Sequence, residues 1–198
     1  MSKYLGAIVY INLLRRPDRR QNIENELQTI GVKAPVIEMF RAIDYPEFGI
    51  YGCSESHLAV LRLAKERKYQ NILIMEDDFK FLVNAETFER QLEHLFVRSD
   101  GFDVCMLAYN MIRQEPCPDD PLMIYARDVQ TASGYIVNQH MYDPLISTYE
   151  IANPLLLKTR RHWLYANDQS WKHLQGNGNW VAFVNATGEQ RDPTDSNT

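Results

Sequence analysis

The chain has 198 residues, of which 45% are hydrophobic and 24% are charged, proportions that are ordinary for one globular domain with a hydrophobic core. Its formal net charge of −5 argues against general nucleic-acid binding, because no basic surplus is available to neutralise phosphates.

The cysteines and the apolar runs indicate the compartment. Cys53, Cys105 and Cys117 are odd in number and widely spaced, which fits neither a disulfide framework nor a zinc site. No signal peptide opens the chain, and no apolar run reaches the roughly 18 residues of a membrane span. We therefore expect a reduced, cytoplasmic protein, with peripheral attachment to a membrane left open.

Strands and helices alternate through the N-terminal half. The predicted strands are residues 7–11, 35–42, 71–75 and 103–108, and the predicted helices are residues 17–30, 55–68 and 85–96. The first helix begins at Pro17, whose missing N–H costs no hydrogen bond there, and ends before Gly31. This order predicts an α/β fold with a mostly parallel sheet and helices on both faces.

The C-terminal half is less regular. It contains a Pro- and Asp-rich loop at 114–121, a turn, strand and helix at 131–146, a helix start at 165–174, a last strand at 179–186 and a polar, irregular tail at 188–198. Because neither a repeat nor a linker interrupts the chain, we predict one domain, residues 1–198.

Three consecutive acids, Glu76, Asp77 and Asp78, follow the apolar strand 71–75 directly. Adjacent carboxylates repel each other and raise one another's pKa values. Alternate side chains of a strand share a face, so Glu76 and Asp78 are expected to point together and Asp77 away from them. Such a pair can hold a divalent cation, with a phosphate completing its shell. The alternative is an acidic strand end that pairs with lysines or caps the next helix.

Other polar side chains also follow predicted strands. Asn12, Arg15 and Asp44 lie at or just after strand ends, where parallel sheets bind their ligands. The segment YINLLRRPDRR places four arginines around a helix N-terminus, an arrangement that suits phosphate. A solvated helix start in which Asp18 compensates its neighbours remains the alternative.

Two further segments have competing interpretations. In GCSESH, a Cys or Ser nucleophile activated by His57 is conceivable, but capping of the helix by Ser54 or Cys53, with His57 as a structural partner, is favoured. In ANDQSW, Asp168 is either a helix N-cap or a general base, and the sequence leaves both open.

Five segments together resemble glycosyltransferase family 25, the group of lipooligosaccharide-type and procollagen galactosyltransferases. They are YINLLRRPDRR, FRAIDY, GCSESHLAVL, ILIMEDDF and TASGYIVNQHMYDPLI. The order and spacing agree over nearly the whole chain, with a weaker similarity in the tail. Leu14 departs from the family, which often has an aspartate at this position.

The resemblance implies a GT-A-type, Rossmann-like sheet, with a nucleotide-binding half of about residues 1–110 and an acceptor half of about 111–198. It implies an inverting transferase that moves a hexose, galactose or glucose, from a UDP-sugar to a hydroxyl of a glycan or protein acceptor, with Mn²⁺ or Mg²⁺ as cofactor. No nucleic-acid partner and no transmembrane segment are expected.

The resemblance also implies roles for individual residues. The metal ligands would be Asp78 and Glu76. The donor would be bound or supported by Asn12, Arg15, Arg19, Asp44, Ser56, His57 and Asp77. The base would be Asp168, with Asp143 and Glu150 as alternatives.

Two other functions compete with this one. A catalytically inactive nucleotide-sugar-binding scaffold is the first, because Leu14 replaces an acid. The second is a receiver-like regulatory domain with an acidic pocket. It ranks last because it leaves the arginine-rich segment and the SGY segment unexplained.

Overall fold

A computed structural model describes residues 4–98 and 100–192. The strands are β1 (Ala7–Asn12), β2 (Ile37–Arg41), β3 (Asn71–Glu76), β4 (Phe79–Phe81), β5 (Val104–Met106), β6 (Asn110–Pro116), β7 (Met123–Gln130), β8 (Gly134–Asn138), β9 (Trp180–Phe183) and β10 (Gly188–Gln190). The helices are α1 (Pro17–Ile30), α2 (Gly49–Glu66), α3 (Ala85–Phe96), α4 (Tyr142–Thr159), α5 (His162–Tyr165) and α6 (Asn167–Ser170), with short 3₁₀ helices at Gln139–Met141 and Trp171–Leu174.

One sheet of eight strands runs through the described residues in the order β2-β1-β3-β8-β5-β9-β7-β6, and β4 and β10 form a separate pair. The pairings of β1 with β2 and β3, and of β5 with β9, are parallel. Within this described sheet, only β8 and β7 run against the common direction. The predicted α/β fold with a mostly parallel sheet is confirmed.

Helices cover both faces of the sheet. Alternate residues of a strand point to opposite sides, so each strand can bury apolar side chains against both helical layers. On one face, Ile72 and Ile74 of β3 pack with apolar residues of α2 and α4. On the other face, Leu73 and Met75 pack with residues of α1 and α3. The unbroken apolar run of β3 therefore reflects burial on both sides.

The N-terminal prediction needs one correction. Helix α2 begins at Gly49, six residues before the predicted start, so Cys53 and Ser54 lie inside the helix and do not cap it. Cysteine and serine residues just before an apolar run are typical of a helix N-terminus. Here Cys53, Ser54 and Ser56 lie beyond the first turn of α2.

The C-terminal prediction missed more. The segment 114–121 was expected to be a loop, yet its first residues belong to β6, which pairs with the unpredicted β7. The strand within 131–146 forms as β8, but it inserts antiparallel between β3 and β5. The tail is not irregular at Gly188–Gln190, which pairs with β4, and residues 193–198 lie outside the described part.

None of the helices within residues 4–98 and 100–192 combines the length and the apolar character that crossing a membrane requires.

The acidic turn after β3 is anchored by Phe79, a fully buried ring. A Cβ atom at Gly134 would lie 2.3 Å from this ring, and one at Gly188 would lie 2.2 Å from it. The space occupied by the Phe79 ring, called its slot below, therefore exists only because two distant positions are glycine, one in the SGY segment and one in the tail.

Gly134→Ala should destabilise the protein by about 1–3 kcal/mol, because the new methyl group overlaps the Phe79 ring in a closely packed interior. Gly176→Ala is the matched control, since a Cβ there meets no atom within 4 Å. Urea unfolding measures both variants. Equal stability of the two would show that Phe79 does not depend on the slot.

Candidate functional site

A cleft of about 190 Å³ opens at the carboxyl ends of β1, β2 and β3. Its walls come from the β1–α1 segment, the β2–α2 loop, the first turns of α2 and the acidic end of β3. The lining residues that carry polar groups include Arg15, Arg19, Asp44, Tyr45, Cys53, Ser56, Glu76 and Asp77. Side chains from four separate segments thus meet where a parallel sheet binds its ligands.

Asp77 is buried and held by two donors. Its Oδ2 accepts a hydrogen bond of 2.7 Å from Asn12 Nδ2, and its Oδ1 one of 3.2 Å from Arg19 Nη1. Burial raises the pKa of Asp77 above its usual range, although the Asn12 hydrogen bond and the Arg19 charge act in the opposite direction.

Asp78 is the least satisfied acid of the triplet. Its Oδ2 accepts a hydrogen bond of 3.1 Å from Gln190 Nε2 and lies 3.6 Å from Arg19 Nη1. Among the described residues, its buried Oδ1 has no hydrogen-bond partner. Burial, together with the charge of Glu76, raises the pKa of Asp78 to about 6.

Glu76 faces helix α2. Its Oε1 lies 3.1 Å from His57 Nε2 and 3.6 Å from the Cys53 sulfur. Fully buried His57 places Nδ1 2.7 Å from the Tyr135 hydroxyl. Burial alone would raise the pKa of Glu76, but the contacts with His57 and Cys53 and the charge of Arg19 together outweigh it, so this pKa lies below its usual value.

The alternation that grouped Glu76 with Asp78 does not extend past the strand. Strand β3 ends at Glu76, and Asp77 and Asp78 form the turn that leads into β4. Asp77 and Asp78 share the Arg19 guanidinium, whereas Glu76 contacts His57.

The four arginines have different partners. Arg15 bonds Asp44 through Nε at 2.9 Å at the cleft, and its guanidinium lowers the pKa of Asp44. Arg16 pairs with Asp18 and Arg20 with Glu24, so part of this cluster is the solvated helix start that the alternative described. Arg19 is the member that reaches the acidic turn.

Ser56 fixes the loop that carries Asp44. Its hydroxyl accepts a hydrogen bond of 2.8 Å from the Ile43 amide and donates one of 2.7 Å to the Gly52 carbonyl. A Cβ on Gly52 would lie 2.4 Å from the Ile43 carbonyl oxygen, so glycine permits this close approach. Ser56 lines the cleft, whereas buried His57 acts behind it through Glu76.

Asp168 lies beside α2 and outside the lining of the cleft. Its Oδ2 accepts a hydrogen bond of 3.1 Å from the Thr131 amide, and the preceding Asn167 amide bonds Ser54 of α2. The contact between Asn167 and Ser54 places Asp168 beside the turn of α2 that carries Cys53. Burial raises the pKa of Cys53, and the charges of Glu76, Asp78 and Asp168 add to this shift.

The two alternative bases belong to α4 and pair with residues farther along α2. Asp143 pairs with Lys65 and Glu150 with Arg62, and both acids are exposed. Arg62 and Lys65 follow Cys53 by nine and twelve residues, or roughly 13 and 18 Å along the helix axis. Asp168 is therefore the better placed of the three candidates.

Sequence reasoning missed the part of the tail that completes the acidic turn. Gln190 bonds the Asp78 carboxylate, and the Arg191 amide donates 2.8 Å to the Asp78 carbonyl. Arg191 also pairs with Glu26 of α1. The weak similarity of the segment GEQRDP to the family was the available signal.

The residues of the acidic turn fit a divalent cation. Asp78 offers a buried carboxylate oxygen without a hydrogen-bond partner in the described ranges, and Glu76 lies close enough to raise its pKa. One guanidinium, that of Arg19, contacts two of the carboxylates. Carboxylate oxygens with an incomplete shell are the ligands that Mg²⁺ and similar hard cations prefer.

Comparisons with known proteins agree with this architecture. Three solved structures are similar: a glycosyltransferase involved in glycosylation of the major capsid of PBCV-1 (TM-score 0.50, 10% identity, 89% of this chain and 80% of that one), the glycosyltransferase GlyE of Streptococcus pneumoniae (0.52, 12%, 90% and 45%) and mannose-1-phosphate geranyltransferase of Thermus thermophilus (0.51, 12%, 98% and 75%). The fold is GT-A-like. At these identities the likeness concerns the fold alone.

The sequence match covers a smaller part of the chain than the structural matches do. A Drosophila pseudoobscura pseudoobscura protein described as a glycosyltransferase 25 family member is 30% identical over 39% of this chain and 16% of its own length. The predicted resemblance to this family is confirmed by that match. The chain thus spans only a small part of this curated relative, and no family model matches it.

Asp78→Asn should stabilise the cation-free protein near neutral pH. The folded-state pKa of about 6 exceeds the ordinary 3.8, so folding becomes less favourable as Asp78 ionises, and the destabilisation is complete above about pH 6. Since one pKa unit corresponds to about 1.4 kcal/mol, the variant should gain about 1–3 kcal/mol at about pH 7.5. The gain should shrink between about pH 6 and 4. Urea unfolding in EDTA measures this dependence.

Asp44→Asn is the matched control, because the Arg15 guanidinium lowers the pKa of Asp44. This variant should gain no stability near neutral pH. If Asp78→Asn behaves like Asp44→Asn, the carboxylate of Asp78 is not strained in the folded protein.

Proposed function

We propose that the chain is an inverting, metal-dependent glycosyltransferase that moves a hexose from a UDP-sugar to a hydroxyl of a glycan or protein acceptor. The observation that carries this proposal is the acidic end of β3 in a GT-A-like fold, where Glu76 and Asp77 line the cleft and Asp78, next in the chain, keeps a buried oxygen without a hydrogen-bond partner among the described residues. The glycosyltransferase relative and the fold support transferase activity.

The polar groups of the cleft suit a nucleoside diphosphate. Arg15 and Arg19 line it with guanidinium groups, which bind phosphate oxygens through paired N–H donors. Asp44 and Tyr45 stand on the loop opposite them, where a carboxylate can accept ribose hydroxyls and a ring can stack on a base. Asn12 and Asp77 are bonded to each other, so Asn12 fixes the orientation of the Asp77 carboxylate.

Asp78 and Glu76 would hold Mn²⁺ or Mg²⁺, with Asp78 as the main ligand. When bound, the cation would stabilise negative charge on the departing diphosphate. Arg19 would then release Asp78 while keeping Asp77, its closer partner at 3.2 Å. A cation bound there would relieve the repulsion among the three carboxylates, and this relief would favour cation binding.

Asp168 would take the proton of the acceptor hydroxyl, which attacks the sugar on the face opposite the leaving group. Its carboxylate is oriented by the Thr131 amide, and α6 is tied to α2 through Ser54. Both contacts hold the group beside the cleft wall. A general base contributes roughly a hundredfold to ten-thousandfold in rate.

Calorimetric titration of UDP with and without Mn²⁺ tests the donor site. Wild-type protein should bind UDP in a Mn²⁺-dependent manner, and Asp78→Asn should lose that dependence, because its amide is a poor ligand. Asp119→Asn, which changes an exposed acid away from the cleft, is the control and should bind normally. If UDP fails to bind to wild-type protein with Mn²⁺, this proposal is wrong.

Asp168→Asn should keep Mn²⁺-dependent UDP binding and lose sugar transfer by about a hundredfold or more, since the amide cannot accept the proton. A UDP-sugar hydrolysis and transfer assay beside the calorimetry separates the two effects. Normal transfer by Asp168→Asn would assign the base elsewhere.

An inactive nucleotide-sugar-binding scaffold is the second candidate. Two observations favour it: Leu14, at the position of the family's acid, is 54% exposed, and Asp168 does not line the cleft. The scaffold predicts UDP binding without transfer by wild-type protein for any hexose donor.

A further inference from the structure

Helix α2 and the end of β3 bring together a sulfur, a nitrogen and a carboxylate that the proposed function does not use as a set. Cys53 and His57 are four residues apart on α2, so both project from the same face of the helix towards Glu76. The three ligand atoms all lie within 4.8 Å of one another. Cys53 and Glu76 also line the cleft, which gives a path from solvent.

We propose that Cys53, His57 and Glu76 form a site for a thiophilic divalent cation such as Zn²⁺, separate from the Asp78 carboxylate. Tetrahedral Zn²⁺ binds sulfur at about 2.3 Å and nitrogen or oxygen at about 2.0–2.2 Å, so its ligand atoms are separated by roughly 3.2–3.7 Å. The observed separations from Glu76 Oε1 are 3.1 Å to His57 Nε2 and 3.6 Å to Cys53 Sγ. Two of the three separations therefore already match those of atoms that share one zinc ion, and the third is within 4.8 Å.

The surroundings of His57 complete the site. Its Nδ1 lies 2.7 Å from the Tyr135 hydroxyl, the kind of outer partner that fixes the orientation of a metal-binding imidazole. With Zn²⁺ on Nε2, the ring proton resides on Nδ1 and is donated to the Tyr135 oxygen.

The proton balance of binding is simple. The Cys53 thiol releases its proton to solvent as the sulfur–zinc bond forms, and any proton on His57 Nε2 leaves as the nitrogen–zinc bond forms, so that the ring keeps its proton on Nδ1. Three protein ligands leave a fourth position to water from the cleft, the arrangement of an open zinc site. This site was not predicted from the sequence. The prediction considered the spacing of the cysteines, whereas two of the three ligands here are a histidine and a glutamate.

Occupation of this site should act on the donor site through the shared Glu76. Two dications that draw on one carboxylate repel each other, so Zn²⁺ should weaken Mn²⁺ binding at Asp78. This consequence rests on the proposed function, whereas the zinc site itself does not.

Titration of the whole protein with CoCl₂ tests the site directly, since thiolate ligation gives a near-ultraviolet charge-transfer band. Wild-type protein and Cys117→Ser should show the band and lose it when ZnCl₂ displaces cobalt. Cys53→Ser should lack the band and bind Zn²⁺ at least about tenfold more weakly, the loss that follows even from removing outer partners. A thermal midpoint like that of the wild type without metal would show that Cys53→Ser is folded.

Absence of the band in wild-type protein, or its persistence in Cys53→Ser, would overturn the zinc site. The coupling is tested separately by titrating UDP with Mn²⁺ in the presence of one equivalent of Zn²⁺. Wild-type protein should then bind UDP more weakly than Cys53→Ser does. Equal weakening in both would refute the coupling, and failure of UDP to bind without Zn²⁺ would refute only the proposed function.

Discussion

Three carboxylates meet at the carboxyl end of a strand that is buried on both faces, and the chain has to hold them there against their mutual repulsion. Each acid is held in a different way. Glu76 is contacted from α2 by His57, and Asp77 is bonded from β1 and α1 by Asn12 and Arg19. Asp78 keeps an oxygen without a partner among the described residues. The three acids therefore differ in how many partners they have, and those partners come from the walls of the cleft, the arginine-rich segment and the tail.

The fold explains why such distant segments meet at one turn. Phe79 follows the acids and is locked between two glycines, one in β8 and one in β10. Strand β8 runs antiparallel beside β3, and β10 pairs with β4 immediately after the turn. The same packing that buries Phe79 therefore fixes the backbone of Asp77 and Asp78. It also delivers Gln190 to the Asp78 carboxylate.

The local elements were predictable because their signals are local. Apolar runs, a proline at the first position of α1 and the Gly31 end of that helix identify β1, β3 and α1 from the sequence. The insertion of β8 was not predictable, since strand order depends on contacts across the whole chain. The partner of Glu76 also escaped the sequence reasoning, because His57 and Glu76 are brought together only by the packing of α2 on β3. The prediction that Asp78 shares a strand face with Glu76 does not hold, because the strand ends at Glu76, two residues before Asp78.

The central claim is that Asp78 is the carboxylate that receives a cation together with a diphosphate. A crystal structure of the protein grown with UDP and Mn²⁺, with data collected at a wavelength where manganese scatters anomalously, tests this most directly. We expect an anomalous peak within about 2.5 Å of an Asp78 oxygen, with the diphosphate on the same peak and the Arg19 guanidinium moved away from Asp78. A nucleotide bound in the cleft with no anomalous peak at Asp78, or with the peak elsewhere, would contradict this claim.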